Sequence, residues 1–478
     1  MDVRVVQKDR PIYVDLDGTL IKTDLLWETL AALARQKPWE FWRVPFWAIK
    51  GKARLKAELA KRIEFDPSLL PYREEVVAAL SLARQDGRRV VLATGTNVRI
   101  AEAISAHLGV FDAVMASTDT VNLTAERKLE RIREDCETDE FDYVGNSRDD
   151  VCLLDAAAEA TVVAPDRHAR GWQRKSGAHI IEDGANKTKA ALKALRPHQW
   201  AKNILLFVPL TLNHDFLDLN MLVAGLMGFV AFSLAASSVY IVNDLLDLQS
   251  DRRHKTKRNR PFASGTLPIP AGLTLAGGLL VAAFAIASQL PPDFKTILLC
   301  YLVMTSAYSL FVKRMLLIDT LVLAGLYTVR IIGGAAAADV GLSFWLLAFS
   351  LFFFFSLALV KRYTELHDFG GGAERSKTGR GYVDLDLETI SQAGMASGFA
   401  SVMVLALYID SSDVRHLYDQ PWLIWPLCPL VLYIIVRIWI LARRNQMHDD
   451  PVVFIMQDWR SQIMIGAGAI MFLAAAYA

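Results

Sequence analysis

From Pro197 onward the chain is dominated by long apolar runs, and these constrain its fold more than any other feature. Nine such segments are read, at roughly 200–213, 219–242, 269–290, 294–312, 316–338, 342–360, 389–409, 421–441 and 461–477. Most approach the ~20 residues that a helix needs to cross a bilayer. The first is short, so a tilted or partly re-entrant path is expected. The expected fold for residues 191–478 is an all-α, nine-span transmembrane bundle.

The segment before it reads differently. Residues 11–16 form a short apolar run ending in Asp15-Leu16-Asp17-Gly18-Thr19-Leu20. Similar β-rich runs recur at 89–93, 111–116, 141–144 and 160–164, with helix-like segments at 73–86, 97–108 and 125–135 between them. Alternating strand and helix predicts a Rossmann-like α/β domain, a parallel sheet covered on both faces, over residues 1–190. About seventy residues between the first two runs carry no strand signal. They predict a helical cap at about 22–72, rich in tryptophan (Trp27, Trp39, Trp42, Trp47).

Charge placement orients the chain. Met1 to Arg10 is polar and no apolar stretch of signal-peptide type follows, so the first domain is expected to stay in the cytoplasm, at the inner membrane of the cell. Inside loops then hold Arg252, Arg253, Lys255, Lys257, Arg258, Arg260, Lys313, Arg314, Lys361, Arg362, Arg375, Lys377, Arg380, Arg443 and Arg444. Outside loops hold little beyond Lys295 and Arg415. This asymmetry follows the positive-inside rule, supports nine spans, and puts the C-terminus outside. The net charge of +1 says nothing about partners, and no nucleic-acid partner is expected. Four scattered cysteines without C-x-x-C spacing fit neither a disulfide framework nor a zinc site.

Chemistry concentrates at 243–251, directly after an apolar run. Asn243, Asp244, Asp247 and Asp251 fall at helical spacing on one face. Acid grouped at the end of a membrane helix is costly unless a cation sits there, and Mg²⁺ carrying a phosphate group is the cation it points to. Basic residues orient a membrane protein, whereas acidic ones contribute little, so topology alone does not account for this face. The run His254-Lys255-Thr256-Lys257-Arg258-Asn259-Arg260-Pro261 follows, and Lys361-Arg362-Tyr363-Thr364-Glu365 lies after the sixth segment. These three features are expected to converge on one cytoplasmic cavity. Acid would bind Mg²⁺ and Lys/Arg would hold phosphate oxygens while a diphosphate leaves carbon.

In these residues the chain resembles the UbiA superfamily of intramembrane prenyltransferases, over about 195–478. Its polyprenyl-phosphate phosphoribosyltransferase branch is the nearest likeness. The matching text is Arg196-Pro197-x-x-Trp200-x-Lys202-Asn203, the 243–251 motif with Thr256-Lys257-Arg258-x-Arg260-Pro261, Tyr308-Ser309-x-x-x-Lys313-Arg314-x-x-x-x-Asp319, and Lys361-Arg362-Tyr363-x-Glu365. The resemblance implies a prenyl monophosphate lipid as acceptor and phosphoribosyl diphosphate (PRPP) as donor. It implies Asp244, Asp247 and Asp251 as Mg²⁺ ligands assisted by Asn243, with Lys257, Arg258, Arg260, Lys361 and Arg362 on phosphates. Lys202, Lys313, Arg330 and Glu365 are further substrate-binding candidates. Arg330 sits mid-segment and is costly if it faces lipid, so an inward, paired role is expected. Asp449, Asp450 and Asp458 carry no assigned role beyond beginning a helix or turning a loop. Ordinary superfamily members have a second Asp-x-x-x-Asp motif, where this chain has Lys361, Arg362, Glu365 and Asp368. A more cationic second motif suits a donor with an additional phosphate.

The first domain resembles the haloacid dehalogenase (HAD) superfamily over about 10–185. Asp15-x-Asp17-Gly18-Thr19 at a strand end, Thr94, Lys128 and Gly145-Asn146-Ser147-Arg148-Asp149-Asp150 occur in the order of its four motifs. The likeness implies that Asp15 attacks phosphorus and that Asp17 serves as acid, then base. Thr94 would bond the phosphoryl group and Lys128 would offset its charge. Asp15, Asp17, Asn146 and Asp150 are the implied Mg²⁺ site. The fourth motif usually begins Gly-Asp, so Asn146 brings an oxygen but no charge, and Asp149 or Asp150 must compensate.

The cap segment 37–47, continued by Lys50, Lys52, Arg54 and Lys56, mixes aromatic and basic residues as a membrane interface does. Packing of the cap on its own core or on the membrane domain is the competing expectation. Together the two halves suggest synthesis of a polyprenyl-phosphoryl ribose 5-phosphate followed by removal of its 5-phosphate. Prenyl transfer to an aromatic acceptor, and a transporter or lipid-binding protein with a regulatory HAD-like domain, are the alternative readings.

Overall fold

The computed structural model describes residues 10–136, 140–212, 218–368, 381–411, 420–447 and 450–477. Arg375, Lys377, Arg380, Arg415 and Asp449 lie outside these described residues. The chain divides into two compact units. One comprises residues 1–194 and 240–275, the other 195–239 and 276–478. The chain therefore returns to its first unit after the expected domain boundary near residue 190, and the segment that returns contains the acidic motif.

In the first unit six parallel strands form one sheet: β1 (Ile12–Val14), β2 (Val90–Asn97), β3 (Ala113–Ser117), β4 (Asp142–Gly145), β5 (Glu159–Val163) and β6 (His179–Ile181). Their order is β3-β2-β1-β4-β5-β6. Five occupy the runs expected from sequence. The sixth is only three residues long, too short for a periodic signal. Side-chain alternation sends Ile12, Val14, Val90 and Leu92 to one core and Tyr13, Val91, Ala93 and Tyr143 to the other. Both faces are thus covered, as parallel sheets require. Strand order turns outward on either side of β1, so the ends of β1 and β4 open a crevice where such sheets place their sites.

The segment expected to be a cap is helical, with helices Leu25–Gln36, Val44–Ile49 and Lys52–Arg62 and 3₁₀ turns at Pro38–Arg43 and Pro67–Leu69. Asp24 caps the first helix by accepting from Leu26 N at 2.8 Å. Leu33, Trp47, Leu55 and Leu59 form a small core of its own. Trp39, Trp42, Phe46 and Ile49 do not join it and are 68, 63, 58 and 84 % exposed.

Among the described residues six helices are long and apolar enough to cross a membrane: Leu219–Leu246, Ile269–Ala287, Ile318–Ala338, Phe344–His367, Asp386–Ile409 and Trp422–Arg443. The nine-span count is not confirmed. Two further expected segments are helices, Pro292–Leu310 and Trp459–Tyr477. The segment at 200–213 differs most, being a 3₁₀ coil over Pro197–Phe207 followed by a short α-helix, Val208–Leu212. Gly334 lets this coil lie against helix Ile318–Ala338, because a Cβ there would meet the Leu206 carbonyl oxygen at 1.9 Å. Small residues that admit a neighbouring backbone are typical of helix contacts in membranes.

Candidate functional site

The sheet places the first candidate site at the ends of β1 and β4. Val14 pairs with Val144 in register, and Asp15 N donates to Val144 O at 2.9 Å. This brings Asp15 beside the Asn146 loop. Gly18, at φ +80°, faces the Asn146 amide so closely that a Cβ would sit 2.1 Å from Nδ2. Only glycine fits here, both for its conformation and for this approach.

Lys128 joins the two loops. Its Nζ donates to Asp15 Oδ1 at 2.8 Å, to Tyr143 OH at 3.1 Å and to Asp150 Oδ1 at 3.3 Å. Burial alone would lower the Lys128 pKa, but Asp15 and Asp150 raise it on balance, so it remains a cation. Asp15 is pushed up to about 6, by burial foremost, with Lys128 opposing. Asp17 is pushed up to about 7 by burial, with Asp24 and Asp15 adding. A carboxyl group so placed is suited to hold and release a proton near neutrality. Asp17 accepts from Leu25 N at 2.8 Å and from Thr96 Oγ1 at 2.9 Å. Thr94, fully buried, accepts from Thr96 N at 3.1 Å.

Asp150 has a different setting from the one expected. Its Oδ1 accepts from Tyr143 OH at 2.7 Å as well as from Lys128. Its Oδ2 accepts from Asn146 N, Ser147 N and Ser147 Oγ. The geometry commits Asp150 to holding Lys128 and the loop. Asp149 is exposed. Asn146 Oδ1 is buried and has no hydrogen-bond partner. An orphaned amide oxygen on the loop beside Gly18 is an oxygen donor of the kind that Mg²⁺ takes. Tyr143, Ser147 and Thr96 were not singled out from sequence; each is a common strand or loop residue that only the fold brings in. Lys56, read as a surface cation, instead turns inward, donating from Nζ to Gly95 O at 2.5 Å and to Asn122 Oδ1 at 3.3 Å.

The acidic motif lies where helix Leu219–Leu246 ends. Asp247 interrupts the helix, and residues Leu248–Arg253 resume it. Asp244 and Asp251 are buried, seven residues apart and so on one side. Both accept from Arg260 Nη1, at 3.2 and 2.7 Å. Asp247 is turned to Arg35, 3.3 Å away. Among the described residues no three His, Cys, Asp or Glu side chains gather as a metal cluster. What the motif does provide is a carboxylate face already occupied by a cationic group, which is the charge that Mg²⁺ would bring. Asn243 is half-buried, and Lys257 and Arg258 are exposed on a 3₁₀ turn.

In the second unit Asp450 organises the cations. Its Oδ2 accepts from Lys202 Nζ and Lys361 Nζ, each at 2.8 Å. Tyr327 OH donates to its Oδ1 at 2.8 Å. The same Oδ1 accepts from Val452 N at 3.2 Å, capping helix Pro451–Gln457. Beginning a helix was thus the correct local reading of Asp450, but pairing with residues 248 and 89 positions away is invisible to local reasoning.

Arg330 is inward and paired, as its cost in lipid requires. It donates to Asn203 Oδ1 at 2.9 Å and Tyr301 OH at 3.2 Å, and stacks over Tyr301 at 4.9 Å. Arg362 is 1 % exposed and lies 2.6 Å from Asp319. It also pairs with Glu365 and donates to Tyr308 OH at 2.8 Å. Asp319 accepts in turn from Tyr382 OH at 2.5 Å. Arg362 and Glu365 therefore bond one another. Lys313 is half-buried on a 3₁₀ turn.

The description "UbiA prenyltransferase family" matches residues 205–459. The chain belongs to this family. A haloacid dehalogenase-like hydrolase domain matches residues 12–155. A Sinorhizobium fredii protein described as "Uncharacterized protein y4nM" is 36 % identical over 474 residues, covering 98 % of this chain and 91 % of its own. Nodulation protein NoeC of Azorhizobium caulinodans is 34 % identical over 274 residues, 57 % of this chain and 89 % of its own. Decaprenyl-phosphate phosphoribosyltransferase of Mycobacterium tuberculosis is 38 % identical over 194 residues, 39 % of this chain and 64 % of its own. The chain is thus a multi-pass UbiA-family membrane enzyme fused to a HAD-like domain, similar to a transferase that works on a polyprenyl phosphate.

Proposed function

We propose that the UbiA-family part transfers 5-phosphoribosyl from PRPP to a polyprenyl monophosphate. The HAD-like part then removes the 5-phosphate, leaving a lipid-linked ribose as a pentose donor. The observation that carries this reading is the 38 % identity to the decaprenyl-phosphate phosphoribosyltransferase, supported by the pairing of buried Lys202 and half-buried Lys361 on Asp450.

In the first step a prenyl-phosphate oxygen bonds to the anomeric carbon, and the bond from that carbon to the diphosphate oxygen breaks. Lys202 and Lys361 bind phosphate oxygens, with Asp450 keeping both ammonium groups in place. Lys257 and Arg258, exposed beside the acidic motif, are further phosphate-binding candidates. Asp244, Asp247 and Asp251 here, and Asp15, Asp17 and Asn146 in the HAD-like domain, would hold Mg²⁺, which would supply charge neutralisation of phosphate. In the second step Asp15 attacks phosphorus while Asp17 gives its proton to the leaving ribose oxygen. Asp17 then takes a proton from the water that releases phosphate. Lys128 holds Asp15 in line and offsets the charge. Both sites work on the cytoplasmic side of the inner membrane in this reading.

The test uses purified full-length protein, labelled PRPP and a prenyl phosphate, with lipid products weighed by mass spectrometry. Label is expected in lipid, and an aromatic acceptor with prenyl diphosphate should give no product. Transfer without label in lipid defeats the first step. Asp15→Asn should leave the phosphorylated lipid accumulating; unchanged product would remove the phosphatase from the scheme.

A further inference from the structure

The cap helix Leu25–Gln36 meets charged groups at its start, its first turn and its end. Leu25 N donates to Asp17 Oδ1. One turn on, Glu28 accepts from both terminal nitrogens of Arg252, at 3.1 and 2.6 Å. This pair is buried, with side chains 8 and 6 % exposed. Arg252 follows Asp251 directly, and its Nε donates to Ala263 O at 2.8 Å. At the far end Arg35 lies 3.3 Å from Asp247, and Gln36 Nε2 meets Gln249 Oε1 at 3.4 Å. All of these residues belong to one compact unit.

We propose that two residues of the HAD-like domain's cap tune the acidic motif of the transferase, Glu28 as a positioning residue and Arg35 as a charge that competes for Asp247. The proposal rests on reading Asp244, Asp247 and Asp251 as metal-holding acids. Glu28 supplies the anchor. A two-pronged guanidinium–carboxylate pair fixes orientation as well as distance, and its loss would leave Arg252 buried without its carboxylate. Fixing Arg252 fixes both ends of the segment from Asp251 to Ala263. That segment carries Arg260, which bonds Asp244 and Asp251. Arg35 sets the charge. A guanidinium beside Asp247 repels a divalent cation and competes with it for the carboxylate. One helix therefore begins at the proton-carrying acid of the phosphatase-like site and ends on a carboxylate of the transferase motif. The two activities share a rigid part, which gives the fusion a physical purpose beyond proximity.

The test is Mn²⁺ binding to full-length protein in nanodiscs, read from the electron paramagnetic resonance of free Mn²⁺. Asp247→Asn is expected to abolish one class of sites and so to define it. Arg35→Gln should tighten that class by roughly three- to tenfold, the size of one partly screened charge. Glu28→Gln should weaken it by a similar factor, and Glu28→Asp should restore most of the loss. Arg35 and Asp247 are about a quarter exposed, so Arg35→Gln does not disturb a core. An Arg35→Gln isotherm superimposed on the parent's overturns the proposal, and so does an isotherm that Asp247→Asn leaves unchanged. Failure of PRPP as donor would not move these isotherms, so the two readings fail separately.

Discussion

Asp450 shows how much a single carboxylate can carry. It faces two lysines and a tyrosine, and its side chain is 6 % exposed. Asp450→Asn keeps the shape but leaves Lys202 and Lys361 without their counter-charge. Breaking a buried pair in this way is expected to cost about 3 kcal/mol of stability. Thermal unfolding of the purified protein in detergent checks this. Adding Lys361→Met should recover part of the loss, since one uncompensated ammonium group is then gone; a double variant no better than Asp450→Asn would show that charge is not the cause. Asn146 poses the opposite case, an amide where a carboxylate would serve. Its amide lies against Gly18, Nδ2 being the nearer atom, and its Oδ1 is buried without a partner. Asn146→Asp should lower the Mg²⁺ concentration for half-maximal phosphatase activity on p-nitrophenyl phosphate, by roughly tenfold for one added charge. It should also lower the melting temperature in EDTA, because a third carboxylate then stands near Asp15 and Asp17. An unchanged Mg²⁺ dependence would place the metal away from Asn146.

Elements divide the legible from the illegible. The strand–helix alternation and the Asp15, Thr94, Lys128 and Asn146 spacing were readable because each lies on or just past its own strand or on its own helix, and parallel pairing does the rest. The cap was readable as a helical insertion but its faces were not. Trp47 packs inside while Trp39 and Trp42 stay out, and Lys56 reaches Gly95 although it continues the same basic run as Lys50 and Lys52. A tryptophan reads the same in either place; which face it takes depends on the crossing of short helices. Likewise, Asp247 broke an expected single acidic face, because Arg35 competes for it from another element. The exposed aromatics with neighbouring Lys37, Arg43 and Lys50 fit an anionic lipid surface, where rings settle and cations find phosphate. In a Cys152→Ser, Cys300→Ser background, a polarity-sensitive dye attached after Trp42→Cys should emit further to the blue in anionic than in zwitterionic nanodiscs. Equal emission at the wavelength of the aqueous dye in both would mean that this cap face meets water.

At the scale of the whole molecule, topology turns on the segment that departs most from expectation. Among the described residues six helices satisfy length and hydropathy, and Pro292–Leu310 and Trp459–Tyr477 are helices of 19 residues each. Whether the total is odd depends on Pro197–Leu212. It is too short to span as an α-helix, but its coil portion rises faster. The 11 residues of 3₁₀ coil and 5 of α-helix extend about 30 Å at ~2.0 and ~1.5 Å per residue, close to the hydrocarbon thickness. Two of its polar side chains are buried rather than lipid-facing: Lys202 and Asn203 are both buried, and Asn203 donates to Ser233 Oγ at 2.9 Å. Such a segment can cross where an isolated helix of its length would not. We therefore expect nine crossings and a C-terminus on the face of the membrane opposite the HAD-like domain. Alkaline phosphatase fused after Ala478 should be active in cells and a green fluorescent protein at the same point dark, with the reverse pattern for fusions before residue 10. A fluorescent C-terminal fusion would give an even number of crossings, and the coil at 197–212 would then be the segment to remove from the count.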